Sequence, residues 1–258
     1  DVSFFLGVDV IRDDSTGTIV IHQKRKILEL LSETGMRDSR PVSTPLKPGT
    51  VLSRADKPQS NEDRKGIDGT FYRKAVGSLM HIMTMTRPDI TEAVKILAEC
   101  LDDPSHKHIE ALNWLLRYLN GSRGFGIEYI GKNDPRAKNT NLNLSLHGYH
   151  DADWAQDPHD RTSRTGYVFL MAGGAISWWS GKQADVGTSS THAEYISQDA
   201  ATREITWLVQ LLKEMGFPPD EVPEVFGKLE NGPMLYGDNR GAQALAENPI
   251  HHKLSKHF

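Results

Sequence analysis

LHGYHDADWAQD, residues 146–157, opens like a β-strand and then delivers carboxylates at 151, 153 and 157 beside Trp154. A strand entering a core should carry apolar side chains at alternate positions, so acids gathered at its end point either to a solvated turn or to a metal site. The choice depends on what the rest of the chain can bring beside Asp151.

Downstream, the spacing predicts a strand over 144–153, TGYVFLMAG (165–173) as a second and GAISWWSGKQ (174–183) as a third. A long helix follows from about Thr191 to Met215, then a Pro-containing loop, a strand in GPMLYGDN (232–239) and a short helix in GAQALAEN (241–248). The order β, β, β, α, β, α describes a mixed α/β sheet with helices packed on it.

Upstream, FFLGVDVIRDDSTGTIVIHQ (4–23) places two apolar runs around the turn residues Asp13 to Gly17, a hairpin. KRKILELLSETGM (24–36) puts Ile27, Leu28, Leu30 and Leu31 on one helix side and stops at Gly35. Residues 40–68 are rich in Pro, Ser and charge and read as a linker or long surface loop. Three helical segments start near Tyr72, Asp89 and His108, and the strand GFGIEYI (124–130) and the polar turn 131–141 lead back to the opening stretch. Domain boundaries are expected in the 40–68 segment and in the 131–141 turn. No internal repeat is present.

With 258 residues, 38% hydrophobic and 25% charged, the chain can bury a substantial core. A net charge of −4 announces no global field for a nucleic acid, so any such contact must be local. A single cysteine, Cys100, excludes an internal disulfide framework and any zinc site of several cysteines, and fits a reducing, intracellular compartment. No apolar run approaches the roughly 18 residues of a membrane span, and DVSFFLGVDV lacks the pattern of a signal peptide. The chain starts without Met inside a strand pattern and stops at LSKHF, so it is expected to be a fragment.

Two further acids can join Asp151. Glu194 falls in the first turn of the long helix, and Asp238 follows the run Met234-Leu235-Tyr236 at a strand's C-terminal end, where ligand sites of open α/β sheets gather. If their strands are neighbours, Asp151 and Asp238 converge and the helix brings Glu194 to the same point. Three such carboxylates repel one another unless divalent cations neutralise them, and two Mg²⁺ ions would suit phosphodiester cleavage. Each acid also has a plainer reading. Thr191 to Glu194 has the spacing of a capping box, Asp238 with Asn239 could form an Asx cap, and Asp151 and Asp153 could be solvated turn residues.

GYHDADWAQDPHDRTSRTGYVFLMAGGAISWWSGKQ, SSTHAEYISQDAATREITWL and LYGDNRGAQALAENPIHHKLSKH closely resemble the ribonuclease H domain of copia-type LTR-retrotransposon Pol polyproteins. The resemblance covers essentially all of 144–258. FFLGVDV, RPVSTPL, YRKAVGSLMHIMTMTRPDI and LNWLLRYLNGSRGFGIEY resemble the end of the reverse transcriptase and the connecting region of the same polyproteins. The resemblance implies an end of reverse transcriptase palm and thumb over 1–45, a mainly helical connection over 46–140 and a ribonuclease H-like mixed sheet over 141–258. It also implies an RNA-strand nuclease acting on RNA–DNA hybrids with Mg²⁺, for which Mn²⁺ can substitute. Asp151 in HDADWA, Glu194 in HAEY and Asp238 in YGDN take the catalytic, metal-holding places, and Asp153 is a weaker candidate. The implied partners are the hybrid and the remainder of Pol, and the implied location is a cytoplasmic virus-like particle or the nucleus.

Two positions depart from the family. His192 stands where Glu is common, at a place that is not a ligand. The resemblance implies a fourth metal-holding acid, an Asp that follows a pair such as Lys256-His257, and the sequence stops at Phe258, so weak activity in Mg²⁺ and partial rescue by Mn²⁺ are expected. The polymerase's Tyr-x-Asp-Asp type pair is absent, since Asp13-Asp14 and Asp102-Asp103 lie in other contexts, so this segment is not expected to polymerise DNA. The rival reading is a catalytically inactive remnant that binds nucleic acid or supports a polymerase partner. Arg161, Arg164 and Lys182 could meet phosphates. Trp154, Trp178 and Trp179 are expected in the core rather than stacking on bases. His251, His252 and His257 lack zinc spacing, and Lys24-Arg25-Lys26 reads as a helix's wet face.

Overall fold

The computed structural model describes residues 2–52, 56–139, 144–155, 161–184, 187–217 and 233–242. Its elements are strands β1 (Phe4–Phe5), β2 (Val8–Asp13) and β3 (Thr18–His22), helices α1 (Lys24–Glu33), α2 (Gly69–Met85), α3 (Thr91–Ala98) and α4 (His106–Gly121), and strand β4 (Gly126–Tyr129). They are followed by β5 (His147–Asp153), β6 (Arg164–Met171), β7 (Gly174–Lys182), α5 (Ser190–Glu214) and β8 (Met234–Tyr236). Among the described residues the fold is mixed α/β with two four-stranded sheets, ordered β1-β2-β3-β4 and β7-β6-β5-β8. The chain divides into two compact units, one of residues 1–12 with 20–127 and the other of 13–19 with 128–258.

In the first unit the expected helices form, and their ends follow local chemistry. Asp68 accepts the Thr70 and Phe71 amides and starts α2 three residues before Tyr72. Gly35, at φ +67°, follows the end of α1, a conformation that residues with a Cβ rarely adopt. The apolar stripes of the helices then bury one another: Ile27 and Leu31 of α1, Val76 and Leu79 of α2, and Leu112 and Leu116 of α4 are fully buried in a single core. Each contributes about 1.5–3 kcal/mol relative to exposure. The apolar run that begins at Phe4 is broken at Leu6 and Gly7, both at positive φ, so that β1 and β2 pair antiparallel as separate strands.

In the second unit β5, β6 and β7 run antiparallel in succession, and β8 lies parallel to β5, with Tyr149 opposite Tyr236. One sheet face is covered by α5, through Ala201, Ile205 and Leu208 against Leu146 and Phe169. Gly148 allows the contact, because a Cβ there would overlap the buried Phe169 ring. The apolar stripe predicted for α5 runs one step too far: the helix ends at Glu214, and Met215 is exposed. The predicted helix over 241–248 falls mostly outside the described residues, which show only its first turn at 240–242.

Candidate metal centre

Asp151 is the fifth residue of β5, and its backbone carbonyl accepts the Ser197 hydroxyl of α5 at 2.8 Å. Gln183, just after β7, ties down the start of α5: its buried amide donates to the Ala193 carbonyl at 2.9 Å and to Thr165 Oγ1 at 3.0 Å. Those bonds fix Glu194, the next residue, which is 6% exposed. Asp238 lies two residues beyond the end of β8, the strand parallel to β5. Asp151, Glu194 and Asp238 each offer an oxygen, and the three atoms lie within 4.8 Å of one another. Asp151 and Asp238 are exposed and Glu194 is buried, so the group opens to solvent on one side.

The plainer reading of Glu194 does not hold, and that of Asp238 holds for its neighbour Asn239 only. The helix cap is Ser189, whose hydroxyl accepts the His192 amide, so Glu194 stands beyond the capping position. In the last described turn Asn239 Oδ1 accepts the Ala242 amide, which makes Asn239 the cap and leaves the Asp238 carboxylate to the acidic group. Asp153 is not among the three clustered acids. It pairs in register with Arg164, and burial followed by the charge of Asp151 raises its pKa.

Crowding acts most on Glu194. Burial first, then the Asp151 and Asp238 carboxylates, push its pKa up to about 7 against the opposing pull of the Ala152 amide. The folded chain therefore holds a proton that an unfolded chain, with an ordinary value near 4.5, has already released. Since the folded state binds more protons in that window, stability in the absence of divalent cations is expected to fall as pH rises from about 4.5 to about 7. Thermal melting in chelator at pH 5 and pH 7 checks this. A midpoint that holds steady or rises between them contradicts it.

The donor set of three carboxylate oxygens is what a hard divalent cation takes. Glu194 is buried and its Oε2 has no hydrogen-bond partner, so the protein by itself leaves this carboxylate incompletely satisfied. The residues present therefore fit Mg²⁺ or Mn²⁺.

Other sequence expectations fare unevenly. Arg164 is buried rather than an exposed phosphate contact, whereas Arg161 remains exposed. None of the three tryptophans is fully buried. Trp154 is 45% exposed, with its indole donating to the Gly187 carbonyl, and Trp179 stacks on Tyr167 with ring centres 6.0 Å apart. Arg25, on the expected wet face of α1, pairs with Asp9. Asp102 and Asp103 are held by Lys57 and Arg64. Asp157, His251, His252, Lys256 and His257 lie outside the described residues. Sequence reasoning did not single out His150, Gln183 or Ser197. For His150 the available signal was its place on the buried alternation of β5, between Gly148 and Ala152.

Several polyproteins match across almost the whole chain. One is the retrovirus-related Pol polyprotein from transposon TNT 1-94 of Nicotiana tabacum, 36% identical over 253 residues and 98% of this chain. Another is the retrovirus-related Pol polyprotein from transposon RE1 of Arabidopsis thaliana, 38% identical over all 258 residues. The chain belongs to the Pol polyproteins of copia-type retrotransposons. It spans 18% and 16% of the length of those two relatives. An uncharacterized mitochondrial protein of Arabidopsis thaliana is 32% identical over 208 residues, which are 80% of this chain and 78% of that protein. No protein-family model matches this Pol segment, and no solved structure matches it. Among its described residues no helix is long and apolar enough to cross a membrane.

Proposed function

We propose that this Pol segment carries a ribonuclease H that cleaves the RNA strand of RNA–DNA hybrids. The observation that carries the reading is the convergence of Asp151, Glu194 and Asp238 from β5, α5 and the end of β8 within 4.8 Å. The order β7-β6-β5-β8, with β8 parallel to β5 and α5 on one face, supports a ribonuclease H-like arrangement of the second unit.

In this reading Asp151, Glu194 and Asp238 hold two Mg²⁺ ions, with Mn²⁺ able to substitute. Bound there, the ions supply an ionisable water and a counter-charge for the departing 3′ oxygen. The protein's part is placement. Asp151 and Asp238 present their oxygens on the solvent side, where a phosphodiester can arrive, while Glu194 closes the group from the buried side. The hybrid is selected by 2′-hydroxyl contacts and groove shape, with little base readout. The remainder of Pol is the protein partner, and the site of action is intracellular, in a particle or the nucleus.

Digestion of a hybrid labelled separately on each strand tests the proposal. Internal cuts in the RNA strand alone, abolished by chelator, are expected. Cutting of the DNA strand, or cleavage that survives chelation, overturns it. Hybrid binding without any cleavage favours the inactive remnant.

A further inference from the structure

Along β5, Asp151 is exposed whereas the preceding His150 ring is buried, with 7% of the residue accessible. His150 Nδ1 and Glu194 Oε2 face each other at 3.9 Å. Both atoms are buried and neither has a hydrogen-bond partner. The opposite edge of the ring lies against Gly237, where a Cβ would overlap His150 Nε2 and Cε1. One imidazole therefore adjoins the supports of all three acids: it is next to Asp151 in the chain, it faces Glu194, and it abuts the residue before Asp238.

Buried polar atoms normally find partners, so a facing pair left unbonded marks an interaction that closes in another state of the site. A separation of 3.9 Å is too long for a hydrogen bond, and a shift of about 1 Å in the Glu194 carboxylate brings it into range. We propose that His150 is a positioning residue for Glu194, its Nδ1–H donating to Glu194 Oε2 when a divalent cation occupies the acids. The other oxygen of Glu194 is then held toward Asp151 and Asp238. Carboxylates that ligate metals are commonly oriented by such outer hydrogen bonds, whose loss weakens metal affinity about 10- to 100-fold. This inference rests on the metal-centre reading proposed above.

Calorimetric titration of the full chain with Mn²⁺, without substrate, tests it on the parent chain and on His150→Leu, His150→Asn and Asp151→Asn. Leu fills space but donates nothing, so its Mn²⁺ affinity is expected to fall by at least about tenfold. The Asn amide nitrogen reaches close to the imidazole Nδ1 position, and this variant is expected to stay within about threefold of the parent chain. Metal-free thermal midpoints separate positioning from packing. A space-filling role favours Leu over Asn in stability, whereas positioning favours Asn over Leu in affinity. Parent-like affinity in His150→Leu, or equal weakness in Leu and Asn, overturns the inference while loss of binding in Asp151→Asn leaves the metal centre standing. Undiminished Mn²⁺ binding in Asp151→Asn overturns the metal-centre reading and, with it, the role of His150.

Discussion

Replacing Asp151 by Asn is expected to slow hybrid cleavage by at least about a thousandfold, equivalent to roughly 4 kcal/mol of barrier, without unfolding the chain. The bond that fixes this part of β5 to α5 uses the Asp151 backbone carbonyl, and the Ala152 amide donates to Asp151 Oδ1 at 2.9 Å, a bond that the Asn oxygen can keep. What the substitution removes is one of three carboxylates gathered within 4.8 Å. In the absence of cations that removal relieves repulsion, so the thermal midpoint should hold or rise while the rate collapses. Single-turnover rates on one hybrid, measured beside melting curves, give both quantities. A loss of less than tenfold in rate would remove Asp151 from the catalytic group.

The largest stability effect is expected in the first unit, at Asp89→Ala, which should destabilise the chain by roughly 3 kcal/mol. Arg87 is 1% exposed. Its Nε and Nη2 donate to the two Asp89 oxygens at 2.8 and 2.7 Å, and its Nη1 to the Ser122 carbonyl at 2.9 Å. The guanidinium lies 5.6 Å from the Tyr118 and Phe125 ring centres, and Tyr118 donates to Asp89 at 2.7 Å. Taking away the carboxylate leaves a buried cation with only Ser122 as a polar partner, which is the costly way to break such a pair. Burial alone would raise the Asp89 pKa, but the bonds and charge of Arg87 outweigh it and hold the value below the ordinary carboxylate range. A depressed carboxylate contributes stability that is present above its unfolded value and is lost as pH falls through its folded one. The difference between parent and Asp89→Ala in urea midpoint should therefore be largest near neutrality and shrink in acid. An equal difference at both ends would assign the loss to packing.

Much of the local structure was legible because its causes are local. The hairpin at Asp13 to Gly17, the stop of α1 before Gly35 and the start of α5 within two residues of the predicted position follow from turn chemistry, capping and helical periodicity. The capping residue of α5 was less legible than its start. Thr191 to Glu194 has the spacing of a capping box, yet Ser189 takes the role because its hydroxyl reaches the His192 amide. The tryptophans depart from expectation for a different reason. Alternation in β7 marks which face each residue takes but not how fully that face is covered, and Trp178 and Trp179 end half-buried.

By itself the sequence determined the order of elements, the three acids as candidates and the family resemblance, since all of these reside in residue type and spacing along the chain. Only the tertiary structure decided that β8 runs parallel beside β5, that α1 shares one core with the helices beyond the 40–68 segment, and that Arg87 and His150 are buried among charged partners. The physical reason is distance along the chain: 43 residues separate Asp151 from Glu194, and 44 separate Glu194 from Asp238. Spacing of that length carries no register, so the pairing of β5 with β8 and the bond from Ser197 to Asp151 are what bring the carboxylates together.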